Sequence, residues 1–136
     1  MQCVEDEKLQ TKSGKIMVKT NVNGGAKMPY FNVQTNAKVE NKSSLIKELS
    51  SFIAKELGKP ERYVMVSLEE KNMLFGGSEE LCAFVDLRSI GLPETRSLSK
   101  AICDFLSKSL KIDADRIYIN FVDVKGSMWG WNGSTF

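Results

Sequence analysis

The chain repeats itself at an offset of 53 residues, and this repeat limits the fold more than any other feature. Ser44, Leu45, Lys47, Phe52, Lys55 and Leu57 meet identical residues at Ser97, Leu98, Lys100, Phe105, Lys108 and Leu110. Leu49 meets Ile102, and Ile53 meets Leu106. After one inserted residue, Arg62 meets Arg116. Six identities in fourteen positions, set in the same strand-helix-strand order, favour a duplicated β-α-β unit over chance likeness between two amphipathic helices.

The local pattern of each copy agrees. Residues 30–36 read as a strand. Leu45, Ile46, Leu49, Phe52, Ile53 and Leu57 recur at helical spacing and predict a helix over 43–57. Asn41 or Ser43 can cap its start, Gly58 can take the left-handed position at its end, and Pro60 forbids continuation. Residues 63–68 predict a second strand and residues 82–88 a third. Leu98, Ile102, Phe105, Leu106 and Leu110 mark a second helix, opened by Pro93-Glu94. A fourth strand follows at 117–122, and residues 130–136 can add a short strand or hairpin. The predicted class is α+β: β-α-β-β-α-β, one four-stranded sheet with both helices on one face. The opposite sheet face and two edges then need cover, which a symmetric oligomer would supply.

Function classes can be excluded from composition. A chain of 136 residues fits one domain, and 42% hydrophobic with 26% charged residues suits a packed core. There is no histidine. Ser-His-Asp and Cys-His catalysis, histidine metal sites and histidine proton shuttles are therefore absent. Three cysteines, Cys3, Cys82 and Cys103, with no CxxC, argue against a disulfide scaffold or a zinc site, so no metal or cofactor is expected. Residues 1–28 hold five lysines and three acids; residues 29–136 hold 14 basic and 14 acidic side chains. The folded part has no basic excess, so no nucleic-acid partner is expected. No apolar run reaches the ~18 residues that span a bilayer, so no membrane partner is expected either. The N-terminus shows neither a secretory apolar region nor an arginine-rich transit pattern, and a cytoplasmic location is the default.

Two segments are expected. Residues 1–28 are polar, lysine-rich and without helical period, with at most a weak strand at 16–22; they read as a loose N-terminal extension. Residues 29–136 form the folded domain.

Within that domain, Met28-Pro29, Gly58-Lys59-Pro60, Phe75-Gly76-Gly77-Ser78, Ser89-Ile90-Gly91, 116–120 and 130–136 stand in a characteristic order. With these segments the sequence resembles the macrophage migration inhibitory factor family of the tautomerase superfamily, over about 108 residues. The resemblance implies a homotrimer whose three sheets form a barrel-like core. It implies a cofactor-independent keto-enol tautomerase of the phenylpyruvate or L-dopachrome isomerase type, with Pro29 as the base. Such a base suits a chain without histidine. A terminal amine titrates near 8, and an apolar pocket and a nearby lysine lower that value. The free nitrogen can then move a proton beside a carbonyl.

The resemblance also implies roles by position. Lys59 would bind a substrate carboxylate or enolate oxygen, and Ile90 would line the pocket. Tyr118 and Asn120 alternate on one strand face and would reach a neighbouring subunit's pocket. Trp131 and Phe136, with Trp129 beside them, would rim an aromatic pocket for a small enol or keto-acid. Some members act instead as secreted, cytokine-like ligands of a cell-surface receptor, which for this chain implies export by a nonclassical route. Cys82 is followed by Ala83-Phe84-Val85, so the CxxC credited with thiol-disulfide activity in some members is missing. Phe75-Gly76-Gly77-Ser78 lacks the Lys-Ser/Thr of a phosphate loop and reads as a turn.

The extension bears directly on catalysis, because the nitrogen of an internal proline is an amide and no base. Three alternatives stand. Translation starts at Met28 and that methionine is removed; the extension is cut away; or the extension is kept and the protein is a catalytically silent binding module.

Overall fold

A computed structural model describes residues 27–136. The expected loose segment 1–28, with its strand at 16–22 and Cys3, lies outside the described residues except for its last two. Those two belong to the fold: the first strand, β1, runs Lys27–Thr35. It is followed by α1 (Lys42–Leu57), β2 (Met65–Glu70), β3 (Ala83–Ile90), α2 (Thr95–Leu110) and β4 (Ile117–Asp123). The strand order is β2-β1-β3-β4. The outer pairs are parallel and the central pair, β1 with β3, is antiparallel. Two parallel β-α-β units thus meet back to back, as the repeat predicts.

The repeat is carried down to the caps. Both helices are 16 residues long and start 53 residues apart. Asn41 caps α1 by accepting from the Ser44 N–H, and Glu94 caps α2 by accepting from Ser97 N–H. Each helix ends on a left-handed residue, Gly58 at φ 66° and Lys111 at φ 61°. Leu45, Leu49, Ile53 and Leu57 are buried on α1, and Leu98, Ile102, Leu106 and Leu110 take the equivalent places on α2. They pack on Phe31, Val33, Val85 and Leu87 of the central strands. Each such buried aliphatic side chain contributes about 1.5–3 kcal/mol relative to exposure. Phe52 and Phe105 meet between the helices, ring centroids 4.5 Å apart.

The strand bounds differ from the sequence reading at several places, β1 starting at Lys27 rather than Tyr30 among them. Residues 61–63 form a 3-10 turn, so β2 starts at Met65 rather than at Tyr63. The Tyr63 N–H bonds to the Pro60 carbonyl, which holds the turn. β3 continues to Ile90 because Lys27 lies opposite to pair with it.

The sheet face away from the helices is open and polar. The Ser67 hydroxyl donates to Asn32 Oδ1 at 2.7 Å, leaving the Tyr30 hydroxyl, 2.9 Å from Ser67 Oγ, to donate to it. Asn32 Nδ2 donates to Glu69 Oε2 at 3.1 Å. Arg88 donates twice to Asp86 Oδ2, while buried Asp86 Oδ1 has no partner. After β4, Gly130–Trp131 (β5) and Ser134–Thr135 (β6) close a small hairpin. Asn132 and Gly133, at φ 54° and 78°, make its two-residue turn.

Candidate active site

Pro29 occupies the one irregular place in the central ladder. Lys27 pairs with Ile90 and Tyr30 with Arg88, so β1 carries an extra residue there. A proline has no N–H to donate to a neighbouring strand, and a bulge removes the need for one. Met28 takes φ 56°, and the Pro29 side chain is fully buried. Its nitrogen is bonded to Met28, so its lone pair is delocalised into the amide.

A cavity of about 800 Å³ opens beside Pro29. It lies where β1 and β2 begin and β3 and β4 end, the point at which Tyr30 pairs with both Met65 and Arg88. Pro29, Tyr63, Met65, Met128 and Trp131 give it apolar and aromatic walls; Arg62 and Arg88 supply charge. The aromatic wall is continuous. Trp131 meets Tyr63 edge-on at 6.5 Å, and Phe136 stacks on Trp131 at 5.7 Å. The hairpin turn brings Phe136 back beside Trp131, because β5 and β6 pair antiparallel. The Arg62 guanidinium lies over the Tyr63 ring at 4.7 Å. Asp86 keeps Arg88 more firmly charged than usual, first by hydrogen bonding and then by its charge.

Of the residues singled out in the sequence, the subunit brings Pro29, Trp129 and Trp131 into one cavity, with Phe136 behind Trp131. Lys59 follows the left-handed cap of α1, where its N–H donates to the Ala54 carbonyl; it is half-buried and does not line the cavity. Ile90 ends β3, half-buried and outside the cavity wall. Tyr118 and Asn120 lie outside its wall, on the open face of edge strand β4. Tyr118 pairs with Phe84, four residues from Arg88 along β3, a distance of roughly 13 Å. Tyr118 is 63% exposed and leans on Phe75, ring centroids 4.7 Å apart. Sequence reasoning missed Arg62, Tyr63, Met65, Arg88 and Met128 as cavity residues. Only Arg62 had given a signal, as the repeat partner of Arg116.

A four-stranded mixed sheet made of two β-α-β units, with a buried proline bulge opening on an aromatic cavity, defines a duplicated α+β subunit. The comparisons with known proteins agree with this and go further. Residues 28–136 match the macrophage migration inhibitory factor (MIF) family, and the chain belongs to it. It is 41% identical over 114 residues to the macrophage migration inhibitory factor of Xenopus tropicalis, across 80% of this chain and 99% of that protein. It is 43% identical to the Brugia malayi homolog over the same shares. The crystal structure of the homologue from Prochlorococcus marinus superposes with a TM-score of 0.74 at 45% identity, covering 79% of this chain and 98% of that one. The family and the sheet-and-helix architecture expected from the sequence are therefore established. Membership supports a function of the tautomerase or cytokine type.

Proposed function

We propose that the protein is a cofactor-independent keto-enol tautomerase whose base is the Pro29 nitrogen, freed as the chain's N-terminus. Its substrate would be a small aromatic enol or keto-acid of the phenylpyruvate or L-dopachrome type. The observation that carries this reading is the burial of Pro29 beside an aromatic cavity that also holds cationic side chains. Burial disfavours a charged amine, so a freed Pro29 nitrogen would stay partly neutral near pH 7. It would take a proton from the carbon beside the carbonyl and return it at the other end of the enol. Cations nearby would stabilise the enolate oxygen or substrate carboxylate. This reading gives Lys59 that role and puts Ile90 at the pocket, although neither lines the cavity of one subunit; Trp131, backed by Phe136, holds the ring.

Tyr118 and Asn120 complete the site only from a neighbour, so this reading includes a homotrimer with a barrel-like core. Three features support it. Tyr118, Leu74 and Leu81 are exposed, the first two by more than 60%, and Met65, Met128 and Trp131 are exposed beside the cavity. Two different apolar patches favour head-to-tail contacts, which close into a ring. The open sheet face also holds the unpartnered Asp86 oxygen, which a second copy can satisfy.

The decisive experiment compares a chain beginning at Pro29 with the full chain, following enol-keto conversion of phenylpyruvate by ultraviolet absorbance. The freed proline should be faster by about 10²–10⁴-fold, the range of general base catalysis. Pro29→Gly at a free N-terminus should greatly reduce turnover. Equal turnover in all three overturns the assignment. The second reading is a cytokine-like ligand of a cell-surface receptor, made in the cytoplasm and exported by a nonclassical route; family membership favours it. Receptor binding that survives chemical blocking of the proline amine would separate that role from the enzymatic one.

A further inference from the structure

The cavity wall carries more positive charge than one carboxylate needs. Among the described residues it contains two arginines, Arg62 and Arg88, and no aspartate or glutamate. Arg88 is held by two bonds to Asp86 Oδ2, at 3.2 and 3.1 Å, which offset part of its charge. Arg62 is held differently. Its guanidinium lies 4.7 Å from the centre of the Tyr63 ring, and Nη2 donates to the Tyr63 hydroxyl at 3.4 Å. An aromatic face positions a cation without cancelling its charge, and leaves guanidinium N–H groups available to an anion.

The repeat sharpens the contrast. Arg116, which the sequence repeat pairs with Arg62 but which sits one place later in its own 3-10 turn, is committed to the scaffold: it donates to the carbonyls of Leu81, Phe75, Ser78 and Glu80. In the corresponding turn of the first unit, Arg62 instead lines the cavity next to its aromatic wall.

We propose that Arg62 recognises a second anionic group on the ligand, so that the cavity selects aromatic acids bearing two negative charges. The ring lies among Tyr63, Met128 and Trp131; one carboxylate lies toward Pro29, and the other meets the Arg62 fork at the Tyr63 side. A planar guanidinium suits a carboxylate, which it can bind through two parallel hydrogen bonds. This inference rests on the reading of the cavity as the substrate site, but it does not require Pro29 to be free.

The test measures binding to the full chain by titration calorimetry. The probes are 3-phenylpropanoate, with one carboxylate, and 4-(2-carboxyethyl)benzoate, with the same ring and arm plus a second carboxylate. The dianion should bind about tenfold more tightly, the effect of one well-placed charged hydrogen-bond pair. Arg62→Gln should erase that margin, weakening the dianion about tenfold more than 3-phenylpropanoate. Arg62→Lys should keep part of the margin, and raised ionic strength should shrink it in the unmodified protein. The inference is overturned by equal affinities in the unmodified protein, by a margin that survives Arg62→Gln, by a salt-independent margin, or by no binding of either probe. Tautomerase activity without the margin removes this inference alone. The margin without tautomerase activity in the chain freed at Pro29 removes the catalytic reading alone.

Discussion

Arg116 and Arg62 stand in the corresponding 3-10 turns of the two halves, yet their removal should have opposite consequences. In Arg116→Gln, four carbonyl oxygens of the segment 75–81 lose a charged donor, at original distances of 3.0–3.2 Å. Two of those bonds, to Phe75 and Ser78, are partly buried, and two are exposed. Water replaces the exposed pair at little cost. The partly buried pair is worth about 1 kcal/mol each in net terms. The guanidinium also lies over Phe75 at 5.1 Å, which adds roughly 0.5 kcal/mol. The expected loss is about 2–3 kcal/mol, or roughly 10–20 °C in melting temperature for a domain near 100 residues. Thermal denaturation followed by circular dichroism, at matched protein concentrations, measures it. Arg62→Gln serves as the control and should melt within a degree or two of the original, about the effect of an ordinary surface change. A loss under about 0.5 kcal/mol in Arg116→Gln would refute the reasoning, and so would equal losses in both variants. Because Phe75 supports Tyr118, Arg116→Gln should also slow the proposed reaction, although Arg116 touches no part of the cavity.

Further outcomes follow from other contacts. A Cβ added at Gly126 would lie 3.0 Å from the Phe136 carbonyl oxygen, so Gly126→Ala should push Phe136 off Trp131. Aromatic acids should then bind several-fold more weakly while the melting temperature changes little; unchanged affinity by calorimetry would show that the ring stack does not shape the cavity. Gly133→Ala places a side chain at φ 78°, which costs about 1–2 kcal/mol and should open the hairpin, read as a changed tryptophan near-ultraviolet signal. The Ser97 hydroxyl and N–H hold the Glu94 carboxylate below its ordinary pKa. A lowered folded value means that its stabilising effect is full above the ordinary carboxylate range and is lost as pH falls through the lowered value. Glu94→Ala should therefore melt below the original at pH 7 and approach it near pH 3; a gap that stays constant across that range argues against the capping role.

Much of this was legible because it is local. The 3.6-residue spacing of Leu45, Leu49, Ile53 and Leu57 can bury only one helix face, and Gly58 suits the backbone that ends it. The same pattern 53 residues later announced a second unit, and the structure places the two helices at that offset. The bulge at Pro29 has a local cause in the missing N–H. The segments that identified the family were legible for the same reason, since each is a short run of turn or cap residues.

The cavity was not legible in this way. Arg62, Tyr63 and Met65 are close in sequence to α1, but Arg88 comes from β3, and Met128 and Trp131 from the C-terminal segment. Nothing in the spacing of these three parts marks them as neighbours. Their meeting depends on the antiparallel pairing of β1 with β3, which puts Arg88 opposite Tyr30, and on the path of the segment after β4, which sets Trp131 against Tyr63. The sequence by itself determined the duplicated units and their helices, and its resemblance to the family singled out Pro29. Only tertiary structure decided which of the two arginines paired by the repeat became scaffold and which faces the cavity. The reason is physical: a side chain's chemistry is local, but the partners that neutralise it or leave it available are set by strand pairing.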